Sequence, residues 1–357
     1  MNYNNILKNY GISSNLKPFG NGHINDTFIT DDGRYIVQSI NTAVFTEPAK
    51  LMENIEKVTD HVRKCIAKNG GDVEKECLEI IKTLDGRNYC NFGGKVYRLY
   101  RYISGSKTVE NDRTYKDLYE AGVGFGHFQK MLRDFPANEL FEIIKDFHDT
   151  PKRVETLKKA INENIASRRD FVAKEIEFAL EKSKFSSVVT DGIKNGEIPL
   201  RVTHNDTKIN NILFDIETGK ACCVIDLDTV MPGSVLYDFG DAMRIGASSA
   251  AEDETDLDKV CFDIEAFKYF TEGYLSEAIS FLNDREIELL TFSAKLLTFE
   301  CGIRFLTDYL NGDTYFKIHR ENHNLDRARN QFKLLEDIEK KEDILSRIVE
   351  EAVKKYK

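Results

Sequence analysis

The chain has 357 residues, of which 41% are hydrophobic and 31% charged, with a formal net charge of −10 and a pI near 5.4. That composition suits large folded cores and excludes a disordered chain, and its acidic balance lacks the basic footprint of a nucleic-acid binder. No run of about 18 apolar residues occurs, so no membrane-spanning helix is expected. Seven scattered cysteines without a C-x-x-C pair favour reduced thiols over a disulfide framework or a zinc site. Together with a start that has neither a basic nor an apolar leader segment, this reads as a cytoplasmic protein.

The first feature in chain order is Phe19-Gly20-Asn21-Gly22-His23-Ile24-Asn25. Its glycines let backbone N–H groups come close to phosphates, although the G-K-[ST] of a P-loop is missing. Gly20, Gly22, Ile24 and Asn25 are therefore candidate nucleotide contacts, with an ordinary glycine turn as the bland alternative. His23 could reach a phosphate or the acceptor. Phe28–Thr30 and Tyr35–Gln38 flank Asp31-Asp32-Gly33, a hairpin signal. From Pro48 to about Asn69, Leu51, Ile55, Val58 and Val62 recur at helical spacing. Leu78–Thr83 and Lys95–Ile103 read as further strands. After Ser104-Gly105-Ser106, long helical patterns dominate. The plan is α+β: a bilobal protein-kinase-like fold with a small β-rich N-lobe over residues 1–103, binding nucleotide, and a larger, mainly helical C-lobe over 104–357, carrying catalysis and the acceptor.

Kinase-like small lobes place a lysine on the third strand and pair it with a helix glutamate. The matching position here is Gln38, an amide without charge. Glu53 or Glu56 would be the helix glutamate. Arg101, Tyr102 and Ile103 enter the presumed hinge, whose backbone could pair with an adenine edge.

The most informative stretch is His204-Asn205-Asp206, followed by Asn211, the apolar run Ile212–Phe214, a turn, the run Ala221–Ile225, and Asp226. Folded as an antiparallel hairpin, this brings Asn211 and Asp226 to one open end, where two oxygen ligands suit magnesium. Asp206 could take a proton from an attacking hydroxyl, and His204 would order the backbone around it. This is the order of parts in a kinase-like catalytic loop, so ATP and Mg2+ are the expected co-substrate and cofactor. Asp238-Phe239-Gly240 spells a kinase metal motif, but no hairpin strand leads directly into it. Asp238 and Asp241 are instead expected to brace the loop or cap a helix.

Glu286–Leu310 reads as one helix, apolar over most of its circumference, and hence buried. Glu300, Arg304 and Asp308 share one face of it, either as an ion-pair ladder or as a polar stripe toward an acceptor pocket. Tyr309 and Tyr315 offer flat faces of the kind that pack on sugar rings. Asn324–Lys357 reads as a solvated amphipathic helix pair.

With these residues placed, the chain resembles the aminoglycoside phosphotransferase and choline kinase superfamily, and more narrowly the N-acetylhexosamine 1-kinases. The likeness is carried by Gly20–Asn25, Tyr35-Ile36-Val37-Gln38, Phe147-His148-Asp149-Thr150-Pro151 and Arg201–Lys208. Ile225–Thr229, Met231-Pro232-Gly233-Ser234 and Glu300–Leu306 extend it. The resemblance implies ATP-dependent phosphorylation of the anomeric hydroxyl of GlcNAc or GalNAc. It implies Asp206 as base and acceptor contact, Asn211 and Asp226 on magnesium, and His23, Arg304 and Tyr315 on the sugar, with Arg244 or Ile245 lining the pocket. Expected partners are the small-molecule sugar and ATP, in a monomer or weak homodimer. A same-fold kinase for choline, methylthioribose or homoserine, or a silent ATP-binding module, stands as the alternative.

Overall fold

The computed structural model describes residues 4–20, 24–110 and 112–357. Gly22 and His23 lie outside the described residues.

The N-terminal region begins with helix α1 (Asn4–Lys8) and strands β1 (Leu16–Pro18), β2 (Asp26–Thr30) and β3 (Tyr35–Ile40). Helices α2 (Pro48–Lys68) and α3 (Val73–Glu76) follow, then strands β4 (Cys90–Phe92) and β5 (Lys95–Arg101). The strands form one antiparallel sheet in the order β1-β2-β3-β5-β4. Residues alternate across it, as the strand period of two requires. Val37, Tyr97 and Leu99 join Ile6, Leu7 and Tyr10 of the α1 segment in one core. Ile40, Val96 and Tyr100 on the opposite side join Leu51, Met52, Ile55, Val58 and Val62 of α2. Leu78–Thr83 is not a strand: it meets β5 through one isolated bridge, Ile80 to Tyr100, and the neighbouring ladder belongs to Cys90–Phe92.

The C-terminal region carries strand β6 (Ser106–Lys107), helices α4 (Tyr115–Met131), α5 (Thr150–Glu163), α6 (Ala173–Lys182) and α7 (Val188–Lys194), and strand β7 (Arg201–Thr203). It continues with β8 (Ile212–Asp215), β9 (Ala221–Val224), β10 (Met231–Gly233), α8 (Val235–Gly246) and α9 (Ile264–Ala278). Helices α10 (Asp284–Glu288), α11 (Leu290–Leu310) and α12 (His323–Tyr356) complete it. The expected single helix Glu286–Leu310 is thus two, parted at Leu289, and the expected C-terminal pair is one continuous helix with a buried face on α11 and α9. Helices α4 and α9 pack closely because glycine faces backbone. A Cβ at Gly273 would sit 1.9 Å from the Tyr119 carbonyl oxygen, and one at Gly122 would sit 2.3 Å from that of Phe270. Among the described residues, no helix is long and apolar enough to cross a membrane. A sheet-rich N-terminal region on a helical C-terminal region is the kinase-like α+β architecture expected from the sequence.

Candidate active site

The loop after β7 carries Asp206. Asn205 adopts a left-handed backbone with φ of 63°, uncommon for a residue with a side chain and therefore in need of support. Asp238, in the first turn of α8, supplies that support. Its carboxylate accepts from the His204 N–H at 2.9 Å, the Asn205 N–H at 2.7 Å and the Gln129 amide at 2.7 Å. The Thr207 hydroxyl donates to the Asp238 carbonyl at 2.6 Å, and Asp241 accepts from the Thr207 N–H at 3.3 Å. His204 is fully buried. Its Nε2 lies 2.9 Å from the Ile225 carbonyl, and its Nδ1 accepts from the Asp206 N–H at 3.3 Å. The loop is therefore held through its backbone, while the Asp206 side chain stays partly exposed.

Strands β8 and β9 pair as Ile212 to Val224 and Leu213 to Cys223, and Ile225 N–H donates to the Asn211 carbonyl at 2.9 Å. Asn211 and Asp226 thus share the open end of the hairpin. The Asn211 Nδ2 donates to the Asp206 carbonyl at 2.8 Å, and lies 3.3 Å from Asp206 Oδ2. Lys208 Nζ reaches the other carboxylate oxygen at 2.9 Å. Asp226 is left-handed too, with φ of 60°. Its side chain is solvent-exposed, yet packed protein surrounds it. That lost hydration, then the nearby Asp228 and Asp206, push its carboxyl up to about 6.

These residues fit a magnesium ion. With Asn211 Nδ2 turned to the Asp206 carbonyl, the amide oxygen is the half left for a hard cation, and the Asp226 carboxylate is a second oxygen donor. The raised Asp226 carboxyl marks a place where added positive charge is favourable. Among the described residues no cluster of three or more His, Cys, Asp or Glu forms a closed cage. Magnesium shared with phosphates needs only one or two protein carboxylates.

On the sheet side, Gln38 and Arg98 sit opposite each other in the β3–β5 ladder. Arg98 Nε and Nη2 donate to Gln38 Oε1 at 3.0 and 2.9 Å, and Gln38 Nε2 donates to Thr27 at 3.2 Å. Arg98 Nη1 pairs with buried Asp228, whose other oxygen accepts from Asn25 Nδ2 at 2.7 Å. The expected helix glutamate is not part of this set. Glu53 is exposed and pairs with Lys57 at 2.9 Å, while Glu56 binds Lys82 and Asn88. The side chains of Gln38 and Asn25 are likewise committed within the protein. At the hinge, the Arg101 N–H donates to Glu79 at 3.0 Å and the Tyr102 N–H to Arg34 at 2.8 Å, so neither amide is spare for a nucleotide. Ile103 is buried, and Gly20 is left-handed with φ of 71° beside exposed Phe19, whose ring meets Tyr102. Ile24 is exposed just before β2.

On the α11 side, Glu300, Arg304 and Asp308 do not form a ladder. Buried Glu300 accepts from His148 Nδ1 at 2.8 Å and the Thr150 hydroxyl at 2.7 Å. Burial would raise its carboxyl, but His148, Arg304 and the Thr150 hydroxyl together hold it low. His148 Nε2 lies 3.4 Å from the Asn205 carbonyl, linking Glu300 to the Asp206 loop. Asp308 accepts from the N–H groups of Thr314, Tyr315 and Phe316 at 2.9, 2.8 and 2.9 Å, and so sets the loop that presents exposed Tyr315. Arg304 has no ion-pair partner among the described residues, and its guanidinium lies over the rings of Phe147 and Phe316 at 5.6 and 5.5 Å. Arg244, expected to line the pocket, is instead committed to Asp241 at 2.9 Å and Glu252 at 2.7 Å, with Ile245 half-buried beside it.

Residues 15–270 match the phosphotransferase enzyme family. The chain belongs to that family. Solved structures share its fold. An aminoglycoside phosphotransferase from Alicyclobacillus acidocaldarius is similar with a TM-score of 0.62 at 11% identity, covering 98% of this chain and 95% of that one. A microcompartment-associated aminopropanol kinase gives 0.58 at 15% identity, covering 96% and 97%. A choline/ethanolamine kinase family protein from Mesorhizobium loti gives 0.52 at 14% identity, covering 96% and 93%.

In this phosphotransferase, the fold brings Asp206, Asn211 and Asp226 together and places Arg304 and Tyr315 on neighbouring segments. Sequence reasoning missed Lys208, Arg98, Asp228 and the His148–Glu300 pair. Lys208 was findable, since it lies two residues past Asp206. Asp228 was findable for the same reason beside Asp226.

Proposed function

We propose that this phosphotransferase carries the γ-phosphoryl group of ATP to the anomeric hydroxyl of an N-acetylhexosamine, GlcNAc or GalNAc, releasing ADP and the sugar 1-phosphate. The observation that carries the reading is the arrangement of Asp206, Asn211 and Asp226 at the end of one braced hairpin. Asp206 orients the acceptor hydroxyl and receives its proton as the phosphoryl group departs from ATP. An anomeric hydroxyl is more acidic than an ordinary alcohol, so modest base assistance is enough. Asn211 and Asp226 would hold magnesium, which when bound offsets charge on the phosphates. Lys208, 2.9 Å from Asp206, holds its carboxylate in orientation. Positioning and electrostatics then account for most of the rate.

On this reading, residues 1–103 bind nucleotide and residues 104–357 hold the catalytic loop and the sugar. Arg304 supports a hydroxylated acceptor, because among the described residues it forms no ion pair and aromatic rings flank it. Tyr315, held out by the Asp308 loop, is placed to pack on a sugar face. The sequence likeness at Glu300–Leu306 and at Gln38 narrows the acceptor to an N-acetylated hexosamine. A coupled ADP-release assay with GlcNAc, GalNAc, unsubstituted hexoses, choline, methylthioribose and homoserine tests it. ADP release stimulated by the two N-acetylhexosamines above the rest is expected. Release with choline alone, or with no acceptor, would contradict it.

A further inference from the structure

We propose that Arg98 is a positioning residue of the phosphoryl-transfer site: the cation that locks the N-terminal sheet onto the turn carrying Asp226, in place of the strand lysine that position 38 lacks. The proposal rests on reading the cleft as a phosphoryl-transfer site, and not on which acceptor is used.

A guanidinium as buried as that of Arg98, 1% exposed, persists only where its donors and its charge are met. Gln38 and Asp228 meet both. The Gln38 carbonyl oxygen takes two donors, Nε at 3.0 Å and Nη2 at 2.9 Å, and Asp228 takes Nη1. A lysine at position 38 would set a second cation against Arg98 and supply no acceptor. An amide at position 38 and an arginine opposite it therefore belong together.

Asp228 gives the pair its consequence. It lies in the turn Leu227–Thr229, directly after left-handed Asp226. One of its oxygens is held by β5 through Arg98. The other is held by Asn25, which leads out of the glycine-rich segment and also accepts from the Asn41 N–H at 3.0 Å. The far side of the turn is tied to the catalytic loop: the Thr229 hydroxyl donates to the His204 carbonyl at 2.6 Å, and Asn205 Nδ2 donates to the Thr229 carbonyl at 2.9 Å. One residue on, Val230 accepts from buried Asn54 of α2 at 3.0 Å. Arg98 touches neither reacting atom. It fixes the backbone from which Asp226 projects, and couples it to the strand edge where the nucleotide phosphates would lie.

Four proteins test this: the wild type, Arg98→Met, Arg98→Lys, and the neutral pair Arg98→Met/Asp228→Asn. The double variant leaves no stranded charge and stands in wherever the single variant fails to fold. Hydrogen exchange of the 225–230 amides without any nucleotide reads the positioning directly, and about tenfold faster exchange is expected in the double variant. Titration calorimetry with magnesium-ATP should show affinity reduced by about tenfold. The kcat should fall on the order of 10²-fold, while the acceptor KM holds within about twofold. Arg98→Lys should recover part of the kcat. Wild-type exchange together with wild-type ATP affinity in the double variant would overturn the proposal. Faster exchange in the variant beside a wild type that binds no ATP would keep the clamp and overturn the nucleotide reading of the cleft.

Discussion

The Nδ2 group of Asn211 donates to the main-chain carbonyl of Asp206 at 2.8 Å, so the proposed metal ligand and the proposed base are fixed to each other. A change at either residue is felt by both, but the two losses differ in kind. Asp206→Asn keeps the loop bonds, which run through its backbone, and removes the proton acceptor. The expected result is a kcat lower by about 10³-fold with ATP affinity within a few-fold of wild type. Single-turnover kinetics and calorimetry on one preparation would show this, and near-normal turnover would remove Asp206 from its role.

Asp226 should destabilise the metal-free protein at neutral pH. Its carboxyl is raised in the fold to about 6, above the ordinary value of 3.8. Between these values the folded state binds the extra proton, so stability falls as pH rises through the window. Asp226→Asn should therefore raise the melting temperature of metal-free protein at pH 7.5, by about 2 °C, and lose that gain below about pH 4. The same variant should lose magnesium-dependent activity. Thermal melts in chelator across pH 4–8 give the sign.

Asp238 makes a contrasting case. Its substitution by alanine strands the buried N–H groups of His204 and Asn205 and the amide of Gln129. The expected cost is about 3 kcal/mol of stability. Its effect on catalysis comes through the loop and not through the metal. In folded Asp238→Ala protein, the magnesium concentration for half-maximal activity should match wild type even as kcat drops. Loss of metal affinity in this variant alone would transfer the metal role from Asp226 to Asp238.

Arg304 and Asp308 should separate acceptor from nucleotide. Arg304→Ala removes a guanidinium that forms no ion pair among the described residues, and should raise the acceptor KM by about tenfold with the ATP KM unchanged. Asp308→Asn keeps the shape but weakens the three amide bonds that set the 314–316 loop. It should raise the acceptor KM less, and add exchange in that loop. Equal changes in both KM values would place Arg304 elsewhere.

The β8–β9 hairpin was legible because its contacts are local: Asn211 and Asp226 are joined by one strand-turn-strand, and Asp206 lies five residues before Asn211. The α+β plan was legible because strand and helix periodicities divide near Ser104. The compensation for Gln38 was not. It depends on the register of two strands 60 residues apart, and Arg98 within Lys95–Arg101 reads as an ordinary strand position. Leu78–Thr83 has the composition of a strand but lies beside β5 with a single bridge, a matter of neighbours and not of propensity. The Asn283–Glu286 capping box starts the short helix α10, which ends at Leu289 just ahead of α11. Asn324–Lys357 has no Gly or Pro to part it, so one helix forms where two were expected. The partners of Arg244, Asp241 and Glu252, were not legible because they are set by the fold of the α8 end.

The proposed reaction puts a phosphoryl group on the anomeric oxygen of an N-acetylhexosamine. Phosphorus NMR of the product formed from GlcNAc, ATP and magnesium tests it most directly. A phosphate coupled to the anomeric proton is expected with wild type and not with Asp206→Asn. A phosphate on the 6-position, or ADP formed without any sugar phosphate, would contradict it.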